Sequence, residues 1–189
     1  VTGGQPWEPK NYDGGFEGPM NLRTALKKSK NLVSIRILQS IGTKYGQEWT
    51  THFGFDADKH PAYLTMALGA GSVTPMQMAT GYSVFANGGY RVNPYLISKI
   101  TDQRGKVLLE STPPTLNESM RGISARNAFI MDSLLQEVAR SGTAAKAQAM
   151  LKRPDIFGKT GTTNDNNFFT IQIHVNFPFL LEFRKRNLQ

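Results

Sequence analysis

From Phe169 to Phe177, apolar side chains alternate strictly with polar ones: Phe169, Ile171, Ile173, Val175 and Phe177 against Thr170, Gln172, His174 and Asn176. A period of two is the mark of a strand with one buried face. It requires a sheet in a chain whose earlier residues are patterned mainly for helices. Pro178 ends the run, and an apolar-then-basic tail follows. Composition changes at the same place. All 18 glycines lie at or before Gly161, the last alanine is Ala149, and residues 168–189 hold five of the eleven phenylalanines. We therefore divide the chain into residues 1–165 and a divergent tail, 166–189, with an edge strand over 169–177.

The first part alternates helix signals with breaks. Residues 1–20 are rich in Gly, Pro and Asn and read as loop. Asn21 caps a run with Leu22, Ala25 and Leu26 on one face. A second run carries Val33, Ile37, Leu38 and Ile41 and stops at Gly42. The polar segment 27–31 between them reads as a short exposed break. Thr74-Pro75 is an N-cap followed by proline at the first helical position, and Asn87-Gly88-Gly89 closes that helix. Its methionines and aromatics read as core. Residues 95–101 and 106–111 flank Asp-Gln-Arg-Gly, a hairpin signature. Ser124 caps a helix ending at Gly142. An alanine-rich helix over 143–152 follows, and Pro154 leads into a short strand, Asp-Ile-Phe-Gly-Lys-Thr-Gly.

With 189 residues and no cysteine, this is one domain's worth of chain without disulfides, thiolate metal sites or cysteine nucleophiles. Nothing approaches 18 consecutive apolar residues, so no membrane-spanning helix is expected within it. The chain opens on Val1 without a leader and reads as an internal piece of something longer. Net charge is +8. Six basic residues (Arg23, Lys27, Lys28, Lys30, Arg36, Lys44) and no acid fall between Gly18 and Gln47. Such a stretch suits an anionic partner or a solvated helix face. His52, His60 and His174 share no metal-ligand spacing, so no metal and no cofactor are expected. No phosphate-cradling glycine pattern precedes a helix. Aromatics are not interleaved with the basic run, so nucleic acid is not the expected partner.

Two tripeptides carry chemistry: Ser29-Lys30-Asn31 on the helix–helix break, and Lys159-Thr160-Gly161 on the strand. Together they suggest an acyl-transfer site. A carboxylate-bearing acyl donor needs a cation and hydroxyls on one wall of a cleft, with glycine letting its backbone approach. A Ser/Asn pair on the opposite wall can relay a proton and hold an amide. A backbone N–H near the strand end can stabilise the oxyanion.

Longer blocks carry the same two motifs: Trp7-Glu-Pro-Lys-Asn-Tyr-Asp13, Gly18 to Leu26, Leu68 to Ala79, Phe85 to Val92 and Gly158 to Asp165. In this order they resemble class A penicillin-binding proteins, nearest the 1A type, over residues 1–165. The resemblance implies a mixed α+β transpeptidase fold, an antiparallel sheet with helices on both faces, incomplete here at both ends. It implies a D,D-transpeptidase that cross-links peptidoglycan stem peptides ending in D-Ala-D-Ala at the periplasmic face of the bacterial inner membrane. β-Lactam antibiotics and an upstream glycosyltransferase domain are the other implied partners. By the resemblance, Ser29 handles proton transfer, Asn31 contacts the substrate amide and Lys159 sets the electrostatics. Thr160 and Thr162 bind the terminal carboxylate beside Gly161, and the Thr162 N–H forms half of an oxyanion hole.

Two departures qualify this. The family's Ser-x-x-Lys nucleophile should precede Ser29 by several dozen residues. No serine in the chain has lysine three positions on, and Thr24–Lys27 and Thr143–Lys146 only mimic the spacing. Where the family continues Asp-Ala-Trp-Phe-Ala-Gly-like after Asp165, this chain reads Asn166-Asn-Phe-Phe-Thr. The expectation is a chain that is inactive by itself and leaves apolar faces uncovered. A basic polyanion-binding module and a decayed gene product are the competing readings.

Overall fold

The structure, a computed structural model, describes residues 7–162 and 169–175, with Thr162 and 169–175 as backbone only. The last two positions of the alternating run, Pro178 and the basic tail lie outside the described residues. The elements in order are α1 (Leu22–Lys27), α2 (Asn31–Ile41), α3 (Thr43–Trp49), α4 (Pro75–Ala86), β1 (Lys99–Thr101), β2 (Val107–Glu110), α5 (Ala125–Ser141), α6 (Ala145–Leu151), β3 (Ile156–Thr162) and β4 (Phe169–Val175). Short 3-10 turns occupy much of the stretch between α3 and α4.

The capping signals act as their chemistry requires. Asn21 Oδ1 accepts from the Thr24 N–H at 2.8 Å at the start of α1. Thr74 and Gln77 form a reciprocal capping box at the start of α4, at 3.1 and 2.9 Å, with Pro75 behind it. Ser124 Oγ accepts from the Asn127 N–H at 3.2 Å to start α5. Each satisfies an orphan N–H of a first helical turn.

Helix phase departs from the sequence pattern in two places. On α1 the buried residue is Ala25, while Leu22 is 58% exposed. On α2 the buried residues are Ile35 and Leu38, and Ile37 and Ile41 face outward. Helix α3 was not signalled by sequence periodicity. It accommodates Gly46 because a Cβ there would sit 2.6 Å from Leu38 Cδ1, so α2 and α3 meet at a glycine.

The strands form two antiparallel pairs. The β1–β2 hairpin pairs Lys99 with Glu110 and is exposed throughout. The second pair, β3–β4, runs in register from Ile156↔Val175 to Thr162↔Phe169. Helix α5 packs on β3, and Leu135, Val138 and Ala139 of α5 and Ile156 and Phe157 of β3 are all buried. A buried cluster joins Val84 of α4 to Ile123 and Ala128, with Phe53 and Phe85 packed against it. Gly89 makes this closure possible: its φ is +100°, and a Cβ would meet the Ile123 carbonyl oxygen at 2.2 Å. The mixed α+β class expected from the sequence is therefore what the chain adopts.

Candidate functional site

Helix α1 ends in a turn that sets the first wall. The Ser29 N–H donates to the Leu26 carbonyl at 3.0 Å, and the Lys30 N–H to the Ala25 carbonyl at 2.9 Å. This pair of bonds is the Schellman arrangement, whose left-handed position normally takes glycine. Ser29 occupies it, at φ 54°. A hydroxyl has been placed where the backbone prefers no side chain at all.

Strand β3 supplies the second wall. Lys159 Nζ donates to Ser29 Oγ at 2.6 Å and to the Thr160 carbonyl at 3.0 Å. The first of these bonds joins residues 130 positions apart. Among the described residues Lys159 has no carboxylate partner, and burial pushes its pKa below the usual lysine value. A desolvated ammonium bonded to a hydroxyl is an arrangement that can pass a proton and can offer charge to an anion. Thr160 Oγ1 shares a 2.6 Å hydrogen bond with Thr143 Oγ1. Gly161 is exposed, and a Cβ built there would meet nothing within 4 Å among the described residues. Thr162 closes the ladder opposite Phe169.

The α5–α6 junction braces the two walls. The Thr143 N–H donates to the Lys27 carbonyl at 3.2 Å, and a Cβ on Gly142 would fall 2.6 Å from the same oxygen. Only glycine permits that approach. Thr143, singled out in sequence solely for its spacing to Lys146, thus stands beside Thr160. Nothing in the local sequence signals that position.

Of the residues nominated from sequence, Ser29, Lys159 and Thr160 come together around hydrogen bonds. Asn31, at the first turn of α2, does not bond to them. Its Nδ2 donates to the Lys10 carbonyl at 2.9 Å, which leaves Oδ1 to accept. The expected exposed break over 27–31 is corrected by Lys30, whose side chain is 3% exposed. Three of the six basic residues of that stretch meet acids. Lys30 pairs with Asp13 and Glu17, Lys28 with Glu17, and Lys27 with Glu137 at 3.6 Å, while Arg23 donates to Ser133. The acids lie upstream in the leading loop, or more than a hundred residues downstream, so the run looked unopposed in sequence. With half of the run's charges offset by these acids, a polyanion-binding module is the less favoured reading. Among the described residues no group of His, Asp and Glu has the arrangement of a metal site, and no helix is long and apolar enough to cross a membrane.

Comparison with known proteins gives the same architecture. A family model described as the penicillin binding protein transpeptidase domain matches residues 1–167. Penicillin-binding protein 1A of Neisseria flavescens is 52% identical over 164 residues, covering 86% of this chain and 20% of the relative. The crystal structure of penicillin-binding protein 1A from Haemophilus influenzae superposes with a TM-score of 0.77 at 37% identity, over 87% of this chain and 30% of that one. The D,D-transpeptidase domain of a peptidoglycan glycosyltransferase from Eggerthella lenta gives a TM-score of 0.68 at 21% identity, over 86% of this chain and 46% of that one, a likeness of fold. The chain thus spans about a fifth of the length of the curated relatives it matches.

Proposed function

The chain belongs to the penicillin-binding-protein transpeptidase family, and from that premise we propose that its two walls are the Ser-x-Asn and Lys-Thr-Gly sides of a D,D-transpeptidase cleft. The observation that carries this is the 2.6 Å bond from Lys159 Nζ to Ser29 Oγ. It puts the two motifs face to face around one relay.

The reaction is acyl transfer from a stem peptide ending in D-Ala-D-Ala. A serine hydroxyl attacks the penultimate carbonyl, the C–N bond breaks, and D-Ala leaves carrying a proton. Thr160 and Thr162 hold the terminal carboxylate beside Gly161. The Thr162 N–H faces the developing oxyanion. Ser29, backed by Lys159, passes the proton toward the leaving amine. Asn31 Oδ1 accepts from the substrate amide. A β-lactam, with its own carboxylate and strained amide, fits the same contacts. The attacking serine, in the family's Ser-x-x-Lys pattern, is not among these 189 residues, so they form no acyl-enzyme on their own. The names of the relatives support peptidoglycan and penicillin as ligands. The name of one fold neighbour, a peptidoglycan glycosyltransferase, supports a glycosyltransferase domain in the parent protein, and action at the periplasmic face goes with the peptidoglycan substrate.

Titration of the chain with D-Ala-D-Ala dipeptide, followed by amide NMR, tests the cleft. Shifts at Ser29, Lys159, Thr160 and Gly161 are expected, and no response there rejects it. Fluorescent penicillin is expected to leave no covalent label; a stoichiometric adduct overturns the statement that the chain is inactive alone.

A further inference from the structure

Lys30, between the two named residues of the first motif, has no role in the chemistry described above, and its side chain is more deeply buried than those around it. The side chain is 3% exposed, yet its Nζ reaches two carboxylates: Asp13 Oδ2 at 2.6 Å and Glu17 Oε1 at 2.7 Å. Both belong to the leading loop. That loop grips the turn at three further points. Lys28 pairs with Glu17, Asn11 Oδ1 accepts from the Leu32 N–H at 3.2 Å, and the Lys10 carbonyl accepts from Asn31 at 2.9 Å. Asn11 is itself fixed by donating to the Gly15 carbonyl at 2.8 Å.

We propose that Lys30, anchored by Asp13 and Glu17, is a positioning residue that holds the Ser29 hydroxyl against Lys159. The argument rests on the reading of Ser29 as a site residue. A serine in the left-handed region costs about 1 kcal/mol relative to glycine. Glycine would remove the strain and the hydroxyl together. The turn therefore needs an anchor elsewhere, and the adjacent residue provides it at both ends: its N–H on the Ala25 carbonyl and its ammonium on the two acids. With Lys30 drawn toward the loop, Ser29 is presented to β3. The acids hold Lys30 in its charged form, and Lys30 and Lys28 hold the acids in theirs.

The test compares Lys30→Met, Lys30→Arg and the doubly neutralised Asp13→Asn/Glu17→Gln with Val84→Ala, a core truncation remote from the turn. The readouts are the titration midpoint of Lys159, from NMR of its side chain, and hydrogen exchange at the Ser29 and Lys30 amides. Lys30→Met and the double variant are expected to speed that exchange about tenfold. They are also expected to raise the Lys159 midpoint toward its usual value by about half a pH unit or more, as water enters around the ammonium. Lys30→Arg is expected to recover part of both. Val84→Ala, which lowers melting temperature only, is expected to leave the midpoint in place. The proposal falls if the double variant, whose substituted side chains lie nearer the surface, folds and leaves Lys159 unchanged. It also falls if Val84→Ala moves Lys159 equally. A Lys159 response without a D-Ala-D-Ala response would uphold the anchor while rejecting the cleft. The reverse result would reject the anchor alone.

Discussion

Lys159 and Asp132 are both titratable groups whose surroundings disfavour charge, and their pH signatures run in different ranges. The Lys159 pKa is lowered by burial from an ordinary 10.5. Between the lowered value and 10.5 the unfolded chain binds more protons than the folded one, so this group makes stability rise with pH across that window. Side-chain NMR of Lys159 should show the lowered midpoint directly. Asp132 on α5 has an Oδ1 that is buried without a partner among the described residues, and burial raises its pKa from 3.8 to about 6. Here the folded chain binds the extra proton. Stability contributed by the neutral form is lost as pH rises from about 4 to 6. Asp132→Asn should therefore stabilise the chain at pH 7, by about 1 kcal/mol once partial exposure is allowed for, with no gain at pH 3. Chemical denaturation of the parent and variant chains at the two pH values checks the Asp132 prediction.

The elements that matter most to the site are short and depend on their ends. Thr74→Ala removes one half of a complete capping box and should cost about 1 kcal/mol, read as a lower urea midpoint with unchanged m-value. Gly89→Ala should be far worse, since the new Cβ would strike the Ile123 carbonyl in a backbone region hostile to alanine; loss of the cooperative melting transition is expected. These caps were legible in sequence because capping is local: Asn21, Thr74 and Ser124 each bond three residues on. The two-residue period of 169–175 was legible for the same reason. Helix phase was less so. Apolar spacing at Leu22 and Ile37 matched a helix, but which stripe is buried depends on what packs against it. Helix α3 is too short to declare itself: its seven residues hold one i,i+4 aromatic pair, Tyr45 and Trp49, with Gly46 inside it. Its glycine answers to Leu38, on a different element. At the site, sequence named Ser29, Lys159 and Thr160 but not Thr143 or the buried state of Lys30. Their partners lie 17 residues away or on another element, beyond any motif window.

At the scale of the whole molecule the described core is small. Phe157, Val84 and Val138 are its largest fully buried side chains, while Leu96, Leu108, Phe129 and Met150 are each more than 60% exposed. Phe157→Ala should cost about 3–5 kcal/mol, enough to abolish the folded state of a marginal chain. Near-ultraviolet circular dichroism would report its loss. The exposed apolar surface should bind a hydrophobic dye in the native state and promote association at high protein concentration, measurable by light scattering. The bond from Lys159 to Ser29 has a kinetic consequence. It closes a loop of 130 residues, and chain-closure entropy delays such contacts until nearer ones are made. Helix α1, its turn and the leading loop can assemble from neighbours in sequence. The second wall must wait for α5 to gather β3. In refolding, a probe on Lys159 should therefore trail probes on Lys30, and the cleft should be the final part of the molecule to come into being.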